Sequence, residues 1–599
     1  MSAITIPSLS LETGTTPPDP KAIEWSVLND QTIYITDHGL RPAPTFLELE
    51  SGDRFCITGR PILGDAVDAA GACRLLQSSG FSDSALQQLN GEFLILHSPP
   101  DRRALRVVTC RFGYPTFWLQ SDARGIVAAT SFFAVWQRLR QLDRIRVNPD
   151  SFFETLLFKR VFGDKTPDAN TKLLGPAQQW VYDGTSIRTQ RYWRPDFAKK
   201  STVSPTGLAD QLVDLVRQSV RRRVTSDGRF SLFLSGGMDT RLVAACLARE
   251  KVPAHCITIN AFENREVVVA RQVAAITGLP HTFLATPPGH YQTTLPQAIQ
   301  LCAGMHMPMC MFHGHSTALS EIAEIGFHGH GFDFMFQGMY IPKTQLHIAG
   351  KTLAYRRMAP LPTDIVGYFL DHAPYRLKGL NILDCGHAGA IKAQIERLRA
   401  ELEGQLREIQ EYAPSPYDAY EQLTFSNFAR HYSVSDHWGI NTNLEQQTIC
   451  FDNDLLDLYT SLSAHDRFDA RIQRMALQRL SPALAELQSA NHTYPIRLSS
   501  GERTVRQIGN AVLRRIGMAK PPTDNRFERM GLPHHHLFQH DWRDAILDLA
   551  RSPRLEGIPF IDGAKVSALA RDAAAGNHPA DGQFLALCMA VDQFLKTAA

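Results

Sequence analysis

The clearest pattern in the chain is a short apolar run at 230–234, broken by Ser235-Gly236-Gly237. It is followed by Leu242, Val243, Ala245, Leu247 and Ala248 at helical spacing. This predicts a strand, a glycine turn and a helix. Upstream, short β-like runs at 32–35, 55–58, 92–97, 104–109, 116–119 and 126–129 are separated by Gly, Asp and Pro, which predicts a β-rich first domain. Residues 1–20, rich in Ser, Thr and Pro, read as a loose tail. Beyond Ser201 strands alternate with helices: 255–259 reads as a second strand and 266–276 as the next helix, closed by Gly278. That alternation argues a largely parallel sheet with crossover helices. Ile391, Ile395, Leu398, Leu402, Leu406 and Ile409 recur at three- and four-residue steps through a charged stretch, predicting a long amphipathic helix that packs internally.

A length of 599 residues with 44% hydrophobic positions predicts a multidomain chain with ample core. The formal charge of +2 gives no global attraction to nucleic acid or membrane, and Arg221-Arg222-Arg223 reads as a solvated helix face. Ten cysteines without a Cys-x-x-Cys pair suggest neither a zinc site nor a disulfide framework. With no basic, apolar signal at its start and no spanning apolar run, the chain is expected in the cytoplasm.

The glycine turn carries the candidate chemistry. Two glycines let the backbone approach an anion, while Ser235, Thr240 and the first helical amides offer hydrogen bonds, which makes a phosphate cradle. It is neither a loop ending in Gly-Lys-Ser/Thr nor Gly-x-Gly-x-x-Gly. Asp239 inside it would repel a bare polyphosphate, so Mg2+ between them is the natural solution. A second glycine loop, 329–338, contains Asp333, and paired with the first loop this aspartate is a metal-ligand candidate. His330 beside it titrates near neutrality as a free side chain and is a candidate base or a packing histidine. His306, His313 and His315, and His534-His535-His536 with His540, do not match a zinc spacing.

Ser235-Gly236-Gly237-Met238-Asp239-Thr240 resembles the pyrophosphate loop of ATP pyrophosphatases, which cleave ATP between its α and β phosphates. Within that group the chain resembles the asparagine synthetase, β-lactam synthetase and lasso-peptide cyclase family. Leu89-Asn90-Gly91-Glu92-Phe93, Arg111-Phe112-Gly113-Tyr114-Pro115, Ala129-Thr130-Ser131 and Tyr192-Trp193-Arg194-Pro195 are similar to successive signposts of that family's first domain. The resemblance implies an α+β Ntn-hydrolase-like domain, a β-rich sandwich, over 21–197. An α/β ATP-pyrophosphatase (adenine nucleotide α-hydrolase-like) synthetase domain over 201–599 would follow, with a helical insertion at 385–415. It further implies ATP and Mg2+ as cofactors: Ser235, Gly236, Gly237, Met238, Asp239 and Thr240 at the phosphates, Thr258 and Ile259 at the adenine, Gly329 and Gly331 in the second loop. Asp239 and Asp333 would hold metal, and His330 would lie at the reaction centre.

Two departures from the family pattern matter. Its glutaminase uses an amino-terminal cysteine, whereas here position 2 is Ser2 and the first cysteine, Cys56, lies in a predicted strand, so a scaffold domain without glutaminase activity is expected. Asp436, Phe451-Asp452 and 456–462 carry the register forward to Ser489-Ala490-Asn491-His492-Thr493-Tyr494-Pro495, where the family presents Arg-x-Lys-x-Gly-Phe-x-x-Pro. Asn491 therefore stands at the catalytic lysine's place, with Arg497 and Lys520 as candidate replacements.

The function implied is an ATP-dependent, AMP- and pyrophosphate-forming amide ligase that joins a carboxylate to an amine without glutamine. Lasso-peptide macrolactam formation is the leading form, with β-lactam-synthetase-like chemistry or a sugar-acid amidoligase as alternatives, and a catalytically lost nucleotide-binding scaffold as a different class. The expected partners are a small-molecule or peptide substrate and a peptide-delivery or leader-peptidase protein. A thiolase of tRNA uridine shares only the first loop.

Overall fold

The computed structural model describes residues 7–597 except 16, 29–30, 309–311, 313, 349, 379–380, 431–440, 493, 516–533 and 578–581. Asp436, His313 and Lys520 thus lie outside the described residues. All six runs expected in the first domain are strands, distributed over two antiparallel sheets. One has the order Thr171–Leu173, Trp118–Asp122, Gly125–Ala129, Leu9–Gly14, Gln31–Asp37, Ile23–Leu28. The other runs Ile187–Arg191, Gln178–Tyr182, Leu105–Thr109, Leu89–Ser98, Arg54–Leu63, Thr45–Glu48, with Ala66–Val67 paired to Arg54–Leu63. Leu89–Ser98 is buried at every position, so it has cover on both faces, and that is why it lacks a clean polar alternation.

The expectation of a loose tail over 1–20 is corrected for its described part. Leu9–Gly14 sits inside the first sheet, paired to Gln31–Asp37 on one side and Gly125–Ala129 on the other. The signal was the alternation of Leu9 and Leu11, both buried, hidden in a Ser- and Thr-rich stretch.

The second domain is built on five parallel strands in the order His281–Ala285, Ala254–Asn260, Phe230–Phe233, Ile325–His328, Glu445–Thr448. The first three strands in sequence step one way across the sheet. The next starts on the opposite side of Phe230–Phe233, so the order reverses between Phe230–Phe233 and Ile325–His328. A crevice opens at such a reversal, outside the carboxyl ends of the two strands. The glycine turn follows one of these strands and the Asp333 loop follows the other.

The long helix is Ala388–Gln410, and Ile391, Leu398, Leu402 and Ile409 are buried. It packs against Ile365–His372 and Pro416–Thr424, and Glu401 shares Lys165 of the first domain with the buried Glu154, so its apolar stripe is satisfied within the chain. Helix Gly582–Lys596 packs on Pro149–Phe158, and Phe594 lies 4.6 Å from Trp136 between ring centres.

The two domains meet in a polar and aromatic seam. Arg60 grips Glu445 through two bonds of 2.8 and 2.6 Å. Glu92 accepts from the Thr448 amide at 2.6 Å and hydroxyl at 2.9 Å, and Phe112 stacks on Phe451 at 4.4 Å. The arginine run is corrected as well: Arg222 and Arg223 are not on a solvated face but pair with the buried Asp452 at 3.0 and 3.1 Å. Arg221 alone is exposed among the three.

Candidate active site

The glycine turn is braced from within. The Ser235 amide donates to Thr240 Oγ1 at 3.1 Å, the Thr240 hydroxyl reaches the Ser235 carbonyl at 3.2 Å, and the Gly237 amide donates to Ser235 Oγ at 3.2 Å. Helix Met238–Arg249 begins at Gly237 with no side-chain cap, which leaves its first amides to a ligand. A Cβ on Gly236 would fall 2.4 Å from Cβ of Ala490, and one on Gly329 2.7 Å from the Thr240 amide nitrogen. The glycines are therefore required by close packing of three segments, in addition to the approach of an anion. Gly331 has φ +97°, and a Cβ there would meet Cys450 at 2.9 Å.

This packing brings Asp239 and Asp333 together. Asp239 Oδ1 accepts from Gln337 Nε2 at 2.5 Å and Gln473 Nε2 at 2.7 Å, and Asp333 Oδ1 accepts from the Phe334 amide at 3.0 Å. Burial first, and then the charge of Asp333, push the Asp239 carboxyl up, and burial pushes Asp333 up. Cys450 stands beside them, its thiol pushed up by burial and by both carboxylates. The two glutamines and Cys450 carry no motif of their own, and sequence reading missed them.

His330 lies between aromatic rings, 5.5 Å from Phe334 and 6.2 Å from Phe451. Burial pushes its imidazole down to about 4, so it is neutral at physiological pH. Thr258 is committed to the framework: its hydroxyl donates to the Leu234 carbonyl at 2.7 Å and lies 2.9 Å from His281 Nε2. The Ile259 side chain belongs to a small core with Phe233, Ile257, Leu319 and Leu444, so of this residue only the backbone is left for recognition.

Asn491 is brought to the cradle through its neighbour, since the Ala490 amide donates to the Gly236 carbonyl at 3.1 Å. Its own amide donates to Ser489 Oγ at 3.0 Å. The fully buried Arg241 clamps the same junction, reaching the carbonyls of Gly236 at 3.0 Å, Leu484 and Leu487 at 3.1 Å, and Gln488 at 2.5 Å. Of the expected replacement cations, Arg497 is paired with Glu486 and so turned to another partner.

In the first domain Cys56 is buried inside Arg54–Leu63 and its thiol is pushed up by burial. All nine described cysteines are buried and free of disulfides. Of the histidine groups, the half-buried His306 is pushed down to about 3 by desolvation, while the rings of His536 and His540 lie 4.4 Å apart, tilted by 43°. Among the described residues, no group of three or more His, Cys, Asp or Glu is arranged to hold a metal. No described helix is long and apolar enough to cross a membrane.

Residues 211–486 match the family model for asparagine synthase, which spans the cradle, both aspartates and the two glutamines. Asparagine synthetase [glutamine-hydrolyzing] 1 of Bacillus subtilis is 27% identical over 160 residues, 26% of this chain and 25% of its own length. The protein of the same name from Saccharomyces cerevisiae is 26% identical over 175 residues, 28% of this chain and 30% of its own. The match thus spans less than a third of either relative. Glutamine phosphoribosylpyrophosphate amidotransferase from B. subtilis, solved with ADP and GMP, is 8% identical with a TM-score of 0.21, over 47% of this chain and 85% of that one. That structural likeness is too slight to carry an argument. The loop sequence and the strand-order reversal beneath it agree with the family match, and residues 211–486 of the chain are similar to the asparagine synthase family.

Proposed function

We propose that this protein is an ATP-dependent amide ligase that adenylates a substrate carboxylate, releases pyrophosphate, and joins the acyl group to an amine with release of AMP. The observation that carries this reading is the meeting of two loops at the strand-order reversal. One offers uncapped helical amides and the other brings Asp333 against Asp239. The donor set fits a hard divalent cation: two carboxylates whose mutual repulsion a cation would relieve, beside the hydroxyls of Ser235 and Thr240. Asp239 and Asp333 would hold Mg2+, which when bound neutralises phosphate charge.

The remaining work falls to the chain itself. Gln337 and Gln473 fix one oxygen of Asp239, so its carboxylate is oriented before ligand arrives. The Met238–Arg249 amides receive phosphate oxygens, and the backbone at Thr258–Ile259 receives the adenine. His330, held neutral in its aromatic surroundings, accepts a hydrogen bond from the incoming amine. The burial of every described thiol supports an amine that comes from the substrate itself, as in closure of a peptide macrolactam, in place of glutamine hydrolysis.

The test is titration of the full chain with ATP in the presence and absence of Mg2+, by calorimetry. Wild type is expected to bind in a Mg2+-dependent manner, and Asp333→Asn to lose that dependence. Absence of Mg2+-dependent binding by wild type overturns the ligase reading.

A further inference from the structure

Next to Gln473, one of the two glutamines that hold Asp239, lies a cluster in which cations outnumber acids among the described residues. Gln473 is followed by Arg474, whose Nε donates to the Asp469 carbonyl at 2.9 Å and whose terminal nitrogen lies 3.6 Å from the Asp469 carboxylate. Arg503, from helix Ser500–Arg515, donates to the same carboxylate at 2.9 Å, and its other terminal nitrogen reaches His492 Nε2 at 2.8 Å. Burial and the charges of Arg503 and Arg356 keep His492 uncharged, pushed down to about 4, so it offers Arg503 a neutral acceptor and no compensating charge.

Arg356 acts electrostatically on Arg503, His492 and Lys343, and Asp469 acts on Lys343, so both further cations are within electrostatic reach of this group. Arg474 and Arg503 thus share Asp469, with Arg356 and Lys343 within electrostatic reach of the group. The other acid that acts on Arg474, Glu502, is exposed and occupied by the amide and hydroxyl of Ser499 at 2.8 Å each. Arg503 is 8% exposed and its Nε, also buried, has no hydrogen-bond partner among the described residues. A buried guanidinium surplus of this kind is costly unless an anion completes it.

The cluster is tied to the cradle on two sides. The Ala470 amide, next to Asp469, donates to the Gln337 carbonyl at 3.3 Å, and Gln337 holds Asp239. His492 follows Asn491 and Ala490, and Ala490 is bonded to Gly236. We propose that Arg503, supported by Arg356 and Lys343, forms an oxyanion subsite for the pyrophosphate end of ATP, supplying the positive charge that the side chain at Asn491 lacks. This rests on the ligase reading above.

The test uses inorganic pyrophosphate, MgATP and AMP as probes in calorimetric titrations of the full chain. Arg503→Met is expected to weaken pyrophosphate binding by about tenfold or more and to leave AMP affinity unchanged, while Arg503→Lys restores most of the pyrophosphate affinity. Unchanged pyrophosphate affinity in a folded Arg503→Met protein overturns the inference. So does equal loss of AMP binding, which marks a structural role. Should Arg503→Met not fold, the half-buried Arg356→Gln combined with Lys343→Gln at the rim takes its place. A loss of pyrophosphate affinity of about threefold or more is then expected, and unchanged affinity overturns the inference. Failure of wild type to bind MgATP is a separate outcome and overturns the ligase reading.

Discussion

At the scale of single residues, the site is governed by what burial does to charge. Asp239 and Asp333 interact in a partly buried site, and desolvation pushes each above the range of a free carboxyl, near 4. Because the folded-state values are raised, the folded chain holds these protons more tightly than the unfolded chain does. Their contribution to stability is present below the unfolded value and is lost as pH rises through the folded one. In the metal-free protein, thermal melting of wild type is therefore expected to fall more steeply between pH 5 and pH 8 than that of Asp239→Asn, which removes one of the two charges. Parallel melting curves for the two proteins over that range would contradict the assignment.

Both aspartates were legible in the sequence because each sits in a glycine motif. Gln337, Gln473 and Arg241 were not, since each acts through a contact made only when distant segments fold together. Arg503 was hidden for the same reason: it lies twelve positions past Asn491 and returns through a helix that no local pattern aims at the cradle.

At the scale of elements, local pattern was sufficient where a helical stripe ends in a recognisable cap. Helix Arg265–Thr277 ends at Gly278, whose φ of +70° suits the left-handed cap that glycine accepts. The failures have equally local causes. Leu9–Gly14 reads as tail because two leucines alternate with serine, and Arg222 and Arg223 read as surface because their acid, Asp452, is some 230 positions away. The cradle element itself makes a sharp prediction. In Gly236→Ala the new methyl would overlap Ala490, so the Ser489–Asn491 segment must shift. The expected result is a stability loss of about 1–3 kcal/mol by urea unfolding together with loss of Mg2+-dependent ATP binding. Retained binding would mean that the contact with Ala490 is dispensable.

At the scale of the whole molecule, the first domain is an integral wall of the second. The motifs that mark it in the sequence, Leu89–Phe93 and Arg111–Pro115, supply Asn90, Glu92, Phe112 and Tyr114 to the seam with Thr448, Phe451 and Asn453. Their pattern was readable, but that they join the domains became visible only in three dimensions. Expressed alone, residues 201–599 would expose Phe451 and the face of Gly582–Lys596 that packs on Pro149–Phe158. Such a fragment is expected to aggregate in size-exclusion chromatography. A soluble monomer that binds MgATP would show the seam to be secondary.

The ring contact between Trp136 and Phe594 also orders events in time. Trp136 is fully enclosed in the finished protein, and one of its walls is a phenylalanine that lies 458 positions later in the chain. At a synthesis rate of ~5–20 residues per second, that wall is missing for roughly 20–90 s after Trp136 itself has been made. During this interval the nascent first domain presents an open aromatic flank to the cell, and its maturation waits on the arrival of Gly582–Lys596.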